Sequence, residues 1–410
     1  MKLLLINHYA GSPKHGMEFR PFYLAREWVR AGHQALILGA SYSHVRTTQP
    51  EPGMAAMSGV NYLFYDTPEY QGNGMGRVKN IWSFCRQVWK DADILAREFA
   101  PDVVIASSTY PMDVWVARRV AKLAKAKLVY EVHDLWPLSP IELSGMSKWH
   151  PFAMLCQKAE NDAYRDADVV VSMLPKVHAH MAAHGLDLKK LHIVPNGITL
   201  DEWSEHGEPL EPAIQAHLDA ERAAGRTVVG YAGSMGEPNA LDVLLDAAKL
   251  LKERADPAAK ALSFVLVGGG HLREHLEARV RDQAIANVAM FPAIPKAQIP
   301  SLLKGFDIAY IGWQRTPIYR FGIAPNKLMD YLMAQRPVLH SVEAGNDPVA
   351  EAGAGLTVPP QDPKAVADGL LTLAAVPAGE RAEMGRRGRE FVLANHTYPV
   401  LAQRFIDAVS

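Results

Sequence analysis

Val228-Val229-Gly230-Tyr231-Ala232-Gly233-Ser234-Met235-Gly236 reads as a buried strand running into a glycine loop, and 241–252 follows as a helix with apolar residues at Leu241, Leu244, Leu245 and Ala248. The same order stands at the start of the chain. Residues 2–7 are strand-like, Gly11-Ser12-Pro13-Lys14-His15-Gly16 is a loop, and a helix from about 18 to 31 ends at Gly32 before a strand at 34–39. A strand–helix–strand unit that restarts at residue 228 predicts two α/β domains of one design, and 410 residues exceed a single ordinary core.

Working outward, further strands are expected at 61–65, 102–106, 127–132, 168–172 and 191–194, with helices at about 78–98, 112–124, 150–166 and 175–184. In the second half strands are expected at 263–267, 288–291, 307–311, 337–340 and 356–358, and a closing helix at 398–408. Val103-Val104-Ile105 and Val169-Val170-Val171 are short β-branched runs suited to strands covered on both faces, so both sheets should be parallel. The polar stretch 200–225 separates the domains, placed at 1–200 and 201–396. Two doubly wound domains facing one another would take ligand in the cleft at the carboxyl ends of their strands.

Bulk properties narrow the function. A formal charge of −1 offers no overall field for nucleic acid. Cys85 and Cys156 are the only cysteines, which suits a reducing compartment and argues against a disulfide framework. The apolar start is too short for a signal-peptide core, and no run approaches the roughly 20 apolar residues that cross a bilayer. The expected location is cytoplasmic, with any contact at the inner face of the cell membrane peripheral.

The stretch Tyr319-Arg320-Phe321-Gly322-Ile323-Ala324-Pro325-Asn326-Lys327-Leu328-Met329-Asp330 carries the chemistry. Gly322 permits close backbone approach, and Pro325 pre-sets a helix whose N-terminal N–H groups favour an anion. Lys327 adds a cation there, and Asp330 lies one turn on, where a carboxylate could take ribose hydroxyls. A nucleotide diphosphate would be held this way. A surface helix with a proline cap would read the same.

Pro325-Asn326-Lys327 before Asp330, with Gln335-Arg336-Pro337 opening the next strand, resembles the nucleotide-binding segment of the retaining family-4 glycosyltransferases. Gly16-Met17-Glu18-Phe19-Arg20-Pro21 and Glu131-Val132-His133-Asp134-Leu135-Trp136-Pro137 resemble the WbuB-like branch of O-antigen and capsule assembly. The resemblance implies the GT-B fold, two Rossmann-like domains with a last helix, about 397–410, crossing back to the first. It implies retaining transfer from a nucleotide-sugar donor, UDP-sugar favoured, to a lipid-linked or glycan acceptor, with no cofactor and no metal.

By the same resemblance His133 lies beside the reacting sugar, while Lys327 and Arg320, the nearest cations in sequence, are expected to stabilise the departing diphosphate. Donor contacts fall to Gly16, Gly233, Ser234, Gly268, Gly269, Ile294, Ala324, Pro325, Asn326 and Asp330, and the acceptor side to Lys14, His15, Glu18 and Asp134. Two departures stand out. Ser234 and Asn239 or Ala240 occupy the positions of the family's basic pair, and Gly322 replaces its first glutamate. The Gly233 loop should then offer backbone amides only, with charge supplied by Lys327 and Arg320. A sugar-nucleotide epimerase on the same architecture and an inactive nucleotide- or glycan-binding partner are the alternatives.

Other motifs read as structural. Asp91-Ala92-Asp93 and Asp166-Ala167-Asp168 mimic an Asp-x-Asp metal site but sit at helix ends, and Gly72-Asn73-Gly74-Met75-Gly76 lacks a dinucleotide fingerprint. His180 with His184, and His271 with His275, share helical faces but lack a third ligand at sensible spacing, which argues against zinc. Between 77 and 90 stand Arg77, Lys79, Arg86 and Lys90 with Trp82 and Trp89 and no acid, a composition that suits an anionic membrane surface.

Overall fold

The computed structural model describes residues 1–16, 19–72, 74–203 and 208–410, so Glu18 lies outside the described residues. The chain divides into two compact units, Met1–Asn196 with Tyr398–Ser410, and Gly197–Thr397.

The first unit contains β1 Lys2–Ile6, β2 Gln34–Ala40, β3 Gly53–Met57, β4 Val60–Tyr65, β5 Val103–Ala106, β6 Lys127–Val132, β7 Val169–Ser172 and β8 Leu191–Ile193. Their order in the sheet is β3-β4-β2-β1-β5-β6-β7-β8. The direction of winding reverses at β1, which pairs in parallel with β2 on one side and β5 on the other, so the loops after β1 and β5 meet at the switch point where α/β sheets bind ligands. The expectation of a wholly parallel sheet needs one correction: β3 pairs antiparallel with β4. Ser58 and Gly59 join them with φ of 50° and 81°, the two positive values of a tight hairpin turn.

Covering helices form where apolar residues recur at helical spacing. Phe19–Arg30 buries Phe22, Tyr23, Ala25 and Trp28, and Tyr398–Val409 buries Leu401, Phe405 and Ile406. These two helices pack together, Trp28 meeting Phe405 at 5.1 Å between ring centroids and donating its indole N–H to the Ala402 carbonyl at 3.3 Å. Each such fully buried aromatic or aliphatic side chain contributes roughly 1.5–3 kcal/mol, which is what attaches the chain's last turns to this unit. The helix expected at 78–98 is an α-helix over Met75–Ile94 continued by one π-helical turn, Leu95–Phe99, closed by Ala100 in the left-handed region.

The second unit contains β9 Thr227–Ala232, β10 Leu262–Val267, β11 Val288–Phe291, β12 Ile308–Gly312, β13 Val338–Ser341 and β14 Gly355–Val358, ordered β11-β10-β9-β12-β13-β14. Its ladders are parallel and the winding reverses between β9 and β12. Residues 200–225 are not simply a polar connection. Pro212–Ala223 is a helix with proline in its first turn, anchored by Ile214 and Leu218 one turn apart. Two apolar residues in a stretch rich in Glu and His gave too weak a period to read from sequence.

Candidate active site

In the second unit the glycine loops after β9 and β10 are zipped together. The Met235 amide donates to the Gly269 carbonyl at 2.7 Å and the Leu272 amide to Met235 at 3.1 Å. A Cβ on Gly268 would stand 1.9 Å from the Gly233 carbonyl oxygen, so only glycine fits. Gly269 in turn lies 3.7 Å, at its would-be Cβ, from Ala293, bringing the part-buried Ile294 segment to the same edge. Gly268→Ala is expected to cost about 1–3 kcal/mol by forcing these backbones apart, read as a lower Tm, while Gly269→Ala, with ordinary contact distances, should move it far less.

The helix Asn326–Met333 begins behind Pro325, which sits at the N-cap position, and no side chain caps its first N–H groups. Tyr331 fixes this helix to the end of β9: its hydroxyl accepts the Ala232 amide at 2.9 Å and donates to the Ala232 carbonyl at 3.0 Å. The consequence is felt one turn earlier. Lys327 Nζ donates to the Tyr231 hydroxyl at 2.9 Å and to Asn239 Oδ1, and lies 3.4 Å from where a Gly233 Cβ would be. Tyr231 and Asn239 both donate to the Ser234 carbonyl, at 2.5 and 2.9 Å. The Lys327 ammonium, carried by the helix, thus stands against the loop after β9.

Burial lowers the Lys327 ammonium to about 8. It raises the Asp330 carboxyl to about 7, with Lys296 opposing and Glu202 adding to the rise, and the Trp203 indole bonds it. Lys296 and Glu202 pair at 2.7 Å. Burial thus brings both groups near the neutral range. Ala324 and Asn326 flank the helix start, and the loop before it is pinned by Asn346, whose Oδ1 accepts the Ile323 amide at 2.7 Å. Arg320 is exposed, its guanidinium on the Pro317 carbonyl at 2.7 Å and 4.2 Å from the Phe321 ring centroid, contacts local to its own turn.

In the first unit the carboxyl ends of β5 and β6 carry a buried network. Glu131 is fully buried and its Oε1 accepts Arg20 Nε at 3.0 Å and Nη2 at 2.8 Å; the remaining guanidinium bonds go to the Val194 and Pro195 carbonyls. Ser107 donates to Glu131 Oε2 at 2.6 Å and lies 3.0 Å from His133 Nε2. With the hydroxyl proton committed to the carboxylate, Ser107 accepts from His133 Nε2–H, which also lies 3.3 Å from Glu131 Oε2. Burial would raise the Glu131 carboxyl, but Arg20, with His133 and Ser107, holds it well below the carboxylate range. Nearby, burial pushes Asp113 up to about 7 although it accepts the Ser108 amide at 2.9 Å.

The loop after β1 is built for backbone approach. Gly16 has φ of 87° and a Cβ there would meet Thr47 Oγ1 at 2.2 Å. Lys14 and Asp134 are exposed. His15 is buried edge-on against Phe64 with Nδ1 3.0 Å from Ser12 Oγ, and burial lowers its pKa, so its side chain supports the loop. The Asp-x-Asp segments are structural as read: Asp93 pairs with Arg119 at 3.0 Å, and Asp168 accepts the Leu128 amide at 2.8 Å.

Residues 15–197 match the glycosyl transferase 4-like domain, and residues 226–375 the glycosyl transferases group 1 domain. The chain belongs to the family-4 glycosyltransferases. This glycosyltransferase is 22% identical over 250 residues to WcaI of Escherichia coli (strain K12), by name a candidate colanic acid biosynthesis glycosyl transferase; the match covers 60% of this chain and 59% of that protein. Its fold is similar to HepE of Anabaena, solved with UDP and glucose, at a TM-score of 0.66 and 15% identity over 99% of this chain and 98% of that one. It is also similar to sucrose-phosphate synthase of Thermosynechococcus elongatus, at 0.70 and 17% over 99% and 97%. At these identities the likeness establishes the fold, GT-B.

Sequence reading of the glycosyltransferase did not single out Arg20, Ser107, Tyr231, Asn239 or Tyr331 as site residues. Arg20 and Glu131 stood inside quoted motifs, which was the available signal, but an Arg and a Glu separated by 111 residues carry no local sign that they pair.

Proposed function

We propose that this glycosyltransferase moves a hexosyl or N-acetylhexosaminyl group from a UDP-sugar, with retention at the anomeric carbon, to a lipid-linked or glycan acceptor of a bacterial surface polysaccharide. One observation carries the donor half of this reading: the Lys327 ammonium stands beside the Gly233 loop at an uncapped helix start. A diphosphate there would meet a cation and backbone N–H groups together, and charge developing on the leaving group would be stabilised without reorganisation. Asp330 would accept ribose hydroxyls, the Gly268-Gly269 turn and Ile294 would floor the nucleotide, and Gly16 and His133 would serve the sugar. HepE, a protein of this fold, binds UDP and glucose, and the WcaI name supports the polysaccharide setting.

Transfer on this reading uses protein cations rather than a metal, so millimolar Mg²⁺ or Mn²⁺ should leave turnover unchanged. A screen of UDP, GDP, ADP and dTDP by thermal shift tests the donor, since a ligand of the native state raises its stability by mass action. Stabilisation by UDP and release of UDP only with acceptor present supports the reading; a new sugar nucleotide formed from donor alone would replace it with an epimerase.

No helix of the described residues is long and apolar enough to cross a membrane. For a lipid-linked acceptor the helix Met75–Ile94 supplies a docking face at the inner surface of the cell membrane. Trp82 and Trp89 are exposed on it, with Lys79, Arg86 and Lys90. Arg77 belongs elsewhere, since its Nε donates to the Tyr9 hydroxyl at 3.0 Å and it lies over Tyr9 and Trp136. Beside this face a cavity of about 950 Å³ is lined by Val78, Ile81, Leu143, Met146, Phe152 and Leu155 among others, room for an acyl or prenyl chain. Flotation with phosphatidylglycerol vesicles should fall at least severalfold in Lys79→Glu/Arg86→Glu and at high salt. Flotation that neither change affects sinks the membrane contact.

A further inference from the structure

The helices Pro151–Asp166 and His178–Ala183 precede and follow β7 in the chain, and with the C-cap residue His184 they bring Glu160, His180 and His184 together. One carboxylate oxygen and two imidazole nitrogens lie within 4.8 Å of one another. His180 Nε2 is 3.6 Å from Glu160 Oε1, and the two imidazole centroids are 4.3 Å apart. Tetrahedral zinc with bonds of about 2.0–2.1 Å spaces its ligand atoms roughly 3.3–3.4 Å apart, so small rotamer adjustments close this group on an ion.

The surroundings fit ligation. His184 Nδ1 lies 2.8 Å from the His180 carbonyl, so Nδ1 carries the proton and Nε2 keeps its lone pair, the arrangement that orients a ligating histidine. The Glu160 carboxylate is oriented by the Tyr164 hydroxyl at 2.9 Å and by Gln157 Nε2 at 2.7 Å. Glu160 is 2% exposed, yet among the described residues its cationic partner is a histidine, not a lysine or arginine. A buried carboxylate in that position gains a compensating charge from a divalent ion. His184 is partly exposed, which leaves room for a water as fourth ligand.

We propose that Glu160, His180 and His184 form a divalent transition-metal site, with zinc the ion that two imidazoles and a carboxylate favour. The site clips the helices that precede and follow β7 and takes no part in sugar transfer. From sequence the histidine pair lacks a third ligand; the fold supplies one from the preceding helix.

The test uses untagged full-length protein freed of metal by a chelator and titrated with Co²⁺, then Zn²⁺, against a chromophoric indicator. One equivalent of Co²⁺ with the visible absorption of a four-coordinate ion, displaced by Zn²⁺, is expected. His184→Ala and Glu160→Gln should each weaken Zn²⁺ binding at least tenfold, and Zn²⁺ should raise the Tm of the parent protein but not of His184→Ala. Because His184 is partly exposed at a helix end, that variant folds even if Glu160→Gln does not. Absence of stoichiometric binding, or binding that His184→Ala retains, overturns the proposal.

Discussion

Lys327→Ala lowers turnover by about 10²–10³-fold, the loss seen when one preorganised stabiliser of transition-state charge is removed, while donor affinity changes far less. The difference arises because a bound donor already shares its diphosphate charge with the helix amides, whereas the departing diphosphate carries more charge than the ground state does. An unchanged rate would remove the donor assignment. Lys327→Met preserves the stem and should behave like the alanine variant, which separates charge from packing.

The same lysine sets a pH signature. Burial places Lys327 at about 8 and Asp330 at about 7, so the free enzyme holds ammonium and carboxylate together only in a narrow window. On the proposed roles kcat/KM for donor falls below about 7 as Asp330 protonates and above about 8 as Lys327 loses its proton. Asp330→Asn should abolish the acidic limb. Lys327→Arg, charged throughout, should abolish the basic one even where its geometry slows the reaction. In kcat the basic limb moves to higher pH, because a bound diphosphate favours the ammonium. For stability the sign is opposite: a lysine whose pKa is lower in the folded state makes folding less favourable below that value, so stability rises as pH climbs from about 8 toward the ordinary lysine range near 10.

Glu131→Gln should cost about 3–5 kcal/mol, because it strands the buried Arg20 guanidinium opposite a neutral amide. For a domain of this size that is a fall in Tm of roughly 6–20 °C. Arg20→Met/Glu131→Gln should recover much of the loss, since an uncharged pair leaves no stranded ion. If the double variant is no more stable than Glu131→Gln, the network is not an ion pair in energetic terms. The folded Glu131 carboxyl lies well below its unfolded value near 4, so its stabilisation is present above about 4 and disappears as pH falls. Activity reports a second effect. His133 loses the acceptor chain through Ser107, so any residual turnover at a temperature where the variant is folded should remain below that of the parent.

How much of this was legible follows from the range of each signal. Buried parallel strands are short β-branched runs, and glycine loops stand at their ends, so both sheets and the loops at 233 and 268 could be read along the chain. The antiparallel β3 was equally local, with Ser58-Gly59 between two strand-like segments, and its reading was available from turn chemistry. The second-domain cation was legible as a residue type: Lys327 stood at a helix start, and the missing basic pair called for a charge. Its partners were not, because Tyr231 lies 96 residues away and the contact exists only once Tyr331 locks the helix to β9.

By itself, then, the sequence determined two doubly wound domains, the uncapped helix at 326 and the residue types able to meet a nucleotide diphosphate. Tertiary structure alone decided that Lys327 reaches the Gly233 loop, that Arg20 and Ser107 stand behind Glu131 and His133, and that Glu160 joins a histidine pair. The physical reason is common to all three. Period and turn chemistry act over a few residues, whereas the charge environment of a side chain depends on burial and on partners that only the packed sheet brings into contact.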